Sequence, residues 1–230
     1  GGIFGISKSC LNLEVENVKV YGIDFVGGVY GESMFAENNI YNKITNSIIE
    51  GEKSKIGGMY GSGGDYSLGL RIIDNCEVYG KKLETENVGG AAGKHNSKLR
   101  GVFVTNTIVK SLGNNVGGIV GLVEGSTVDN VVSENNVIEG LNNIGGITGK
   151  CISETINQGY TSNTCINGYG KNIGGIIGYL NNENSTAVLQ VTILKNFYVG
   201  KATINGKENI PNQPVLFICN HSSMLDSFIL

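Results

Sequence analysis

The sequence has very little proline, no tryptophan and few charged residues. Only 2 of its 230 residues are proline, both near the C-terminal end, and charged residues make up 16% of the chain. Disordered linkers are usually rich in proline as well as glycine, so many glycines with almost no proline favour an ordered structure with tight backbone corners. No apolar run approaches the ~18 residues of a membrane-spanning helix, so no transmembrane segment is predicted.

The net charge and the cysteines exclude further classes of function. The formal net charge is −3, which provides no basic surface for nucleic acid or for an anionic membrane. The five cysteines, at positions 10, 76, 151, 165 and 219, include no C-x-x-C pair, so no metal or redox motif is predicted and no cofactor is expected. An odd, scattered set favours buried free thiols over a disulfide framework.

Glycine, by contrast, is abundant and periodic. The chain has 36 glycines, more than twice the usual ~7%. Six copies of the pattern apolar-Gly-Gly-apolar-x-Gly follow a seventh, shortened copy at residues 1–5. The pairs after the first are Gly27-Gly28, Gly57-Gly58, Gly89-Gly90, Gly117-Gly118, Gly145-Gly146 and Gly174-Gly175. Spacings of 26 to 32 residues are typical of stacked repeat proteins.

A second marker, an asparagine, keeps the same period. After each glycine corner comes a run rich in β-branched residues that is interrupted by one asparagine. The asparagines are Asn17, Asn46, Asn75, Asn106, Asn135 and Asn163. Runs of Ile, Val, Thr and Tyr with alternating polarity predict short strands, and Asn and Gly accept the positive φ angles of tight turns.

Together the two markers predict an all-β fold, a right-handed parallel β-solenoid of about seven coils, each of ~28 residues and two or three strands. The handedness follows from strand twist and crossover rules. We expect the solenoid to occupy residues 1–200, with residues 201–230 as a separate C-terminal segment. Along the solenoid the asparagines either stack as a hydrogen-bonded amide ladder or serve only their own turns.

Other interpretations of these features are less favoured. The dinucleotide-binding pattern G-x-G-x-x-G, begun at residue 61, has tyrosine in place of its last glycine, and no Asp follows the glycine pairs where calcium-binding β-roll repeats require it. Phe4, Tyr30 and Tyr60 each precede the last glycine of a copy. They either pack inside the coil or form an outward row able to stack on sugars or peptides. His95, in a polar stretch, is predicted to lie in a solvated loop.

The glycine tetrads resemble a known repeat family. The tetrads at 118–121 (Gly-Ile-Val-Gly), 146–149 (Gly-Ile-Thr-Gly) and 175–178 (Gly-Ile-Ile-Gly) resemble the GLUG motif of bacterial surface proteins. That family includes adhesin-like proteins and the non-catalytic regions of IgA-specific metallopeptidases. The resemblance covers roughly residues 1–180 and implies an extracellular or cell-surface β-solenoid that serves as a stalk or binding surface. The implied partners are host or surface proteins or glycans, and no H-E-x-x-H motif points to a peptidase.

The last thirty residues change character. The pattern G-x-E-N-x-P at 206–211, an apolar run at 215–219 and N-H-x-x-x-x-D at 220–226 resemble the opening of glycerolipid acyltransferases of the lysophosphatidate type. The resemblance implies that His221 is a general base for the acceptor hydroxyl and that Asp226 orients its imidazole. The family's later blocks are absent, so the alternative function is an acyltransferase fragment, inactive as truncated. The simpler interpretation is a terminal strand with a surface histidine.

The start of the chain bears on both interpretations. The chain opens inside a repeat, without an initiator Met and without a signal peptide. We therefore expect it to be an internal fragment of a longer protein, or the product of a truncated or chimeric gene.

Overall fold

Short β-branched runs between glycine and asparagine corners form strands throughout the described part of the chain. The computed structural model describes residues 1–7, 12–34, 41–64, 69–125, 127–152 and 155–181, and every regular element within these ranges is a strand. β-branched and aromatic residues suit a pleated surface, and the corners end each run before a helix of useful length could form. The prediction of an all-β fold is therefore confirmed for these residues, whereas the predicted segment 201–230 lies outside them.

The strands of the described ranges are mostly four or five residues long. They are β1 (Phe4–Ser7), β2 (Leu13–Glu16), β3 (Lys19–Gly22), β4 (Val26–Gly27), β5 (Tyr30–Ser33), β6 (Tyr41–Thr45), β7 (Ile48–Gly51), β8 (Ser54–Gly57), β9 (Tyr60–Gly63), β10 (Leu70–Asp74), β11 (Glu77–Gly80), β12 (Glu86–Gly89), β13 (Ala92–His95), β14 (Leu99–Thr105), β15 (Ile108–Ser111), β16 (Asn114–Gly117), β17 (Val120–Glu124), β18 (Thr127–Glu134), β19 (Val137–Gly140), β20 (Ile144–Gly145), β21 (Thr148–Ile152), β22 (Thr155–Ser162), β23 (Cys165–Gly168), β24 (Ile173–Gly174) and β25 (Ile177–Asn181).

These strands build four parallel sheets, to which each coil contributes one strand. Sheet A has the order β1-β5-β9-β13-β17-β21-β25, and sheet B the order β2-β6-β10-β14-β18-β22. Sheet C has the order β3-β7-β11-β15-β19-β23, and sheet D the order β4-β8-β12-β16-β20-β24. Each strand thus pairs in parallel with the strand four places later. This is the topology of a parallel β-solenoid, as predicted.

Two details differ from the prediction. A coil has four strands rather than the predicted two or three. The additional strand is that of sheet D, which is as short as the two residues of β4 and leads directly into a glycine pair. The expected number of about seven coils is not confirmed. Three of the four sheets have six strands each in the described residues, and five complete turns separate Asn17 from Asn163.

The register is constant from coil to coil, so side chains form rows along the axis. In sheet B, Val15, Ile44, Ile73 and Val104 lie in one row. All four are buried. A slip of one residue in any of these strands would turn its apolar side chains to solvent, so this interior row fixes the register. The constant register also means that outward-facing side chains form rows, and these rows are where a binding site can lie.

Candidate functional site

The glycine pairs lie where sheet D turns into sheet A, and there the backbones of successive coils are in direct contact. A Cβ atom on Gly117 would come within 2.0 Å of the Val120 carbonyl oxygen. A Cβ atom on Gly118 would come within 2.2 Å of the carbonyl oxygen of Gly146 in the next coil. Ile119 and Val120, which follow the pair, are both buried. This corner therefore packs backbone against backbone and presents no outward side chain to a ligand.

The asparagines of the repeat lie at the corner between sheets B and C. All six have left-handed backbone conformations, with φ between 45° and 56°, and all six are exposed. Asn75 donates to Asn46 Oδ1 (2.7 Å), but Asn46 donates to Glu16 (3.0 Å) and Asn106 donates to Asp74 (2.8 Å). Among the described side chains, acidic partners therefore interrupt the amide ladder at this corner.

A longer amide ladder lies at the corner between sheets C and D. Asn115 donates to Asn87 Oδ1 (2.9 Å), Asn143 to Asn115 Oδ1 (2.7 Å) and Asn172 to Asn143 Oδ1 (2.8 Å). These four residues also have left-handed φ angles, between 57° and 61°. Each lies two residues before a glycine pair. That spacing is visible in the sequence, but the prediction placed the ladder only at the other corner.

His95 is buried, and the prediction of a solvated loop is wrong. It ends β13, its side chain is fully buried, and its Nδ1 atom lies 3.1 Å from the Tyr60 hydroxyl. The Tyr60 ring occupies the space over Gly63, where an added Cβ atom would lie 2.4 Å from it. The polar neighbours of His95 suggested exposure, but strand alternation turns every second residue inward.

Phe4, Tyr30 and Tyr60 lie in register as one row of sheet A. Tyr30 and Tyr60 are buried, and the Phe4 ring stacks on Tyr30 with centroids 5.7 Å apart. The packing interpretation of this row is therefore confirmed, and the interpretation as an outward sugar-binding row is wrong. Large aromatic side chains at this end of the solenoid fill the interior next to small residues such as Gly63.

The predicted catalytic pair, His221 and Asp226, lies outside the described residues, so its role stays a prediction. Among the cysteines of the described ranges, Cys76 and Cys151 are buried and Cys165 is partly exposed, and none of the three is in a disulfide. Burial raises the pKa of the Cys76 thiol to about 11. The ranges that the structure describes contain no cluster of three or more His, Cys, Asp or Glu residues able to hold a metal ion. Nor do they contain a helix long and apolar enough to cross a membrane.

The outer face of sheet C carries tyrosines and charges that bind one another. Lys81 Nζ donates to Glu50 (3.0 Å), and this bond holds the pKa of the Glu50 carboxyl below its usual range. Tyr79 donates to Glu77 (2.7 Å), and burial together with this bond raises the pKa of Tyr79 to about 12. Polar groups on this face are therefore engaged with their neighbours along the solenoid.

The outer face of sheet B differs, because one of its rows is apolar over four successive coils. This row, called the apolar row below, consists of Ile72, Phe103, Val132 and Tyr160. The same row begins with Glu14 and Lys43 in the two preceding coils. All four apolar side chains are half-buried. Each lies three residues before an asparagine of the repeat, which is the sequence signal that would have identified them.

The surroundings of the apolar row combine open space with hydrogen-bonding groups. A shallow depression of about 320 Å³ is lined by Gly69, Leu70, Arg100, Gly101, Phe103 and Asn130. Arg100 is paired with Asp129 (Nε to Oδ2, 3.3 Å) on one side of the row. Thr105 donates to Asp74 (2.6 Å) on the other side. This face therefore has an apolar strip between two polar margins, and it is the candidate binding site of the described chain.

Comparisons with known proteins give a distant structural resemblance. No protein-family model and no curated protein matches the chain. Among solved structures, the chain resembles a putative immunoglobulin A1 protease from Bacteroides ovatus at 17% identity and a TM-score of 0.36. The match covers 76% of this chain and 62% of that protein, which is less than two thirds of its length. A likeness at this level supports no statement about fold or function.

Proposed function

We propose that this chain is a non-catalytic repeat module of a bacterial cell-surface or secreted protein, in which a right-handed β-solenoid serves as a stalk and binding scaffold. The observation that carries the proposal is the apolar row, which stays apolar over four successive coils on the outer face of sheet B. A contiguous apolar strip on an outer face favours an interaction surface over a purely structural exterior. The GLUG-like tetrads support the bacterial surface location.

The location is tested by protease treatment of intact cells of the bacterium that encodes the chain. We expect an antibody against the chain to label intact cells, or to detect the chain in the medium. We also expect external trypsin to remove the cell-bound signal while a cytoplasmic marker stays intact. Detection only after lysis, with full protection from trypsin beforehand, would contradict a surface or secreted location.

The scaffold role is tested by changing the length of the solenoid. Asn87 and Asn115 lie one coil apart, so deleting residues 87–114 removes one whole coil and joins equivalent positions. We expect this variant to keep a β-rich circular dichroism spectrum and cooperative unfolding in urea, because neighbouring coils meet the same rows. Deleting only residues 101–114 should abolish cooperative unfolding, because it removes β15 and most of β14 and leaves one coil without its strand in sheet C. Equal damage from the two deletions would contradict a modular shaft.

The acyltransferase motif supports a second candidate function. The pattern at 206–226 predicts that a longer form of this protein transfers an acyl group to a lysophospholipid hydroxyl, with His221 as the base and Asp226 as its orienting partner. An assay of the full-length gene product with acyl-CoA and lysophosphatidate tests this. Activity abolished by His221→Ala would support it, whereas inactivity of a folded, full-length protein would contradict it.

A further inference from the structure

The apolar row continues straight along the solenoid axis. Phe103 pairs with Ile72 in the coil before it and with Val132 in the coil after it, and Val132 pairs with Tyr160. Neighbouring strands of a sheet lie about 4.8 Å apart, so the Phe103 and Tyr160 rings, two coils apart, are separated by roughly 10 Å along the axis. The row therefore offers two aromatic rings with an aliphatic side chain between them.

The margins of the row provide hydrogen-bonding groups at every coil. Asp74, Thr105 and Glu134 form one margin, in register with each other. The other margin includes Asn130, which is exposed, and the paired charges of Arg100 and Asp129. A ligand lying along the row would thus meet apolar surface beneath it and polar groups on both sides.

We propose that this face binds an extended, uncharged β-linked glycan, with its sugar rings stacked on Phe103 and Tyr160 and its hydroxyl groups on the polar margins. The inference rests on the proposed binding role of the module. A sugar ring has an apolar face of C–H groups and a rim of hydroxyl groups, which matches an apolar strip with polar margins. Successive rings of an extended β-linked chain advance by nearly the spacing of successive coils, so alternate sugars would meet alternate coils in the same way.

Size argues against a protein partner on this face. A stable protein interface uses about 20–30 residues on each side and buries about 800 Å² of each partner, centred on anchors in deep pockets. The apolar row has four half-buried residues on a flat sheet, and the depression next to it is shallow. Strand addition is also excluded within this face, because β10, β14 and β18 already pair on both sides.

Charge argues against an anionic ligand. Asp74 and Glu134 flank the apolar row, and Glu14 precedes it in the same row as Lys43. Carboxylates at the margins can accept hydrogen bonds from sugar hydroxyls, but they repel sulfate and carboxylate groups. The ligand class is therefore a neutral polysaccharide rather than a uronate or a sulfated glycan.

The test uses the full 230-residue chain and three insoluble neutral polysaccharides with extended chains, namely cellulose, chitin and a β-1,4-mannan. We expect the chain to co-sediment with at least one of them, and to bind the matching hexasaccharide in calorimetry. Phe103→Ala and Tyr160→Ala should each weaken that binding about tenfold, because each removes one stacking ring. Tyr79→Ala, which removes a half-buried tyrosine from the outer face of sheet C, is the matched control and should change the affinity by less than about twofold.

Several results would overturn the inference. Circular dichroism first establishes that each variant is folded. No sedimentation with any of the three polysaccharides overturns it, as does an equal loss of binding in Tyr79→Ala. Binding of a hepta-lysine peptide in place of the sugars, abolished by about 0.5 M NaCl, would identify the face as a site for basic peptides instead. If no polysaccharide binds but external trypsin still removes the chain from intact cells, the glycan inference is wrong and the proposed surface location is unaffected.

Discussion

Two corners of the solenoid use asparagine for different reasons. At the corner between sheets B and C, all six copies are asparagine, exposed and left-handed, yet their side chains bond to acidic residues as well as to each other. At the corner between sheets C and D, four copies are asparagine and form one amide ladder. The first two copies there are Phe25 and Lys55, which are also left-handed, with φ of 51° and 57°.

The comparison separates two roles of a repeated asparagine, which are to accept a left-handed φ and to form side-chain hydrogen bonds with the next coil. A left-handed φ is costly for most side chains and mild for asparagine, which accounts for the exposed corner without any ladder. The ladder adds hydrogen bonds that matter most where the amide is shielded from water, and Asn87 and Asn115 are both buried. Phe25 and Lys55 keep the backbone conformation without the ladder, and the Lys55 ammonium lies 3.7 Å from the centroid of the Phe25 ring. The backbone conformation is thus common to the corner, and the ladder is a local addition.

The largest expected effect comes from Asn115→Ala. The change removes bonds to Asn87 and Asn143, leaves buried amide atoms without partners, and places a Cβ-bearing residue without a compensating side-chain bond at a φ of 58°. We expect a loss of about 2–4 kcal/mol in the free energy of unfolding, measured by urea denaturation. Asn106→Ala, at the exposed corner, is the control and should cost about 1–2 kcal/mol. Equal losses would show that the ladder contributes nothing beyond the backbone conformation.

Replacement by glycine isolates the ladder from the backbone. Glycine accepts a left-handed φ freely, so Asn106→Gly should change the free energy of unfolding by less than about 0.5 kcal/mol. Asn115→Gly still loses the two amide bonds and should cost about 1–2 kcal/mol. The same urea titrations measure both variants. A neutral Asn115→Gly would mean that the ladder bonds are no better than bonds to water.

Acidification should distinguish the ladder from the charge pairs of sheet C. The Lys81 bond lowers the folded-state pKa of Glu50, so the stability it adds is present at neutral pH and is lost as the pH falls through that lowered pKa. Lys81→Met should therefore cost up to about 1 kcal/mol at neutral pH and nearly nothing in strong acid. The cost of Asn115→Gly should stay constant, because amides do not titrate. A pH-dependent cost of Asn115→Gly would contradict this contrast.

The smallest expected effect comes from extending the ladder by one coil. Lys55→Asn places an amide next to Asn87, and we expect a gain of about 0.5 kcal/mol after the loss of the contact with the Phe25 ring. The gain should vanish in a background that carries Asn87→Gly, because the new amide then has no partner. Thermal unfolding of the four proteins in this cycle measures it. An unchanged gain in the second background would attribute the effect to backbone preference alone.

The sequence predicted the repeated architecture because its signals are local and recur. Few residues can replace glycine where a Cβ atom would clash with the next coil, or asparagine where φ is left-handed. The spacing of these two residue types therefore indicates the length of a coil. The strand of sheet D was not predicted, because a strand of two residues such as Val26–Gly27 is too short to show a periodic pattern. His95 was predicted to be exposed because its neighbours in the sequence are polar. In a strand those neighbours face outward while His95 faces inward.

The candidate site was harder to predict than the fold. Phe103 and Val132 are apolar residues on the outer face of strands whose inward residues are apolar as well. The sequence of a strand that is apolar on both faces does not show which face is the outer one. Only the register across coils shows that Ile72 and Phe103 point away from the core. The segment with His221 and Asp226 lies outside the described residues, so the catalytic prediction stays open to the acyltransferase assay.

The parallel pairing of strands has a mechanical consequence. Hydrogen bonds between coils run along the long axis, so tension applied to the two ends pulls on them directly and opens one terminal coil before the next. Each opening would release a length of slack chain equal to one repeat and leave the remaining shaft intact. A module held between a cell and an anchored partner would therefore lengthen in equal steps and absorb a sudden load before the attachment breaks.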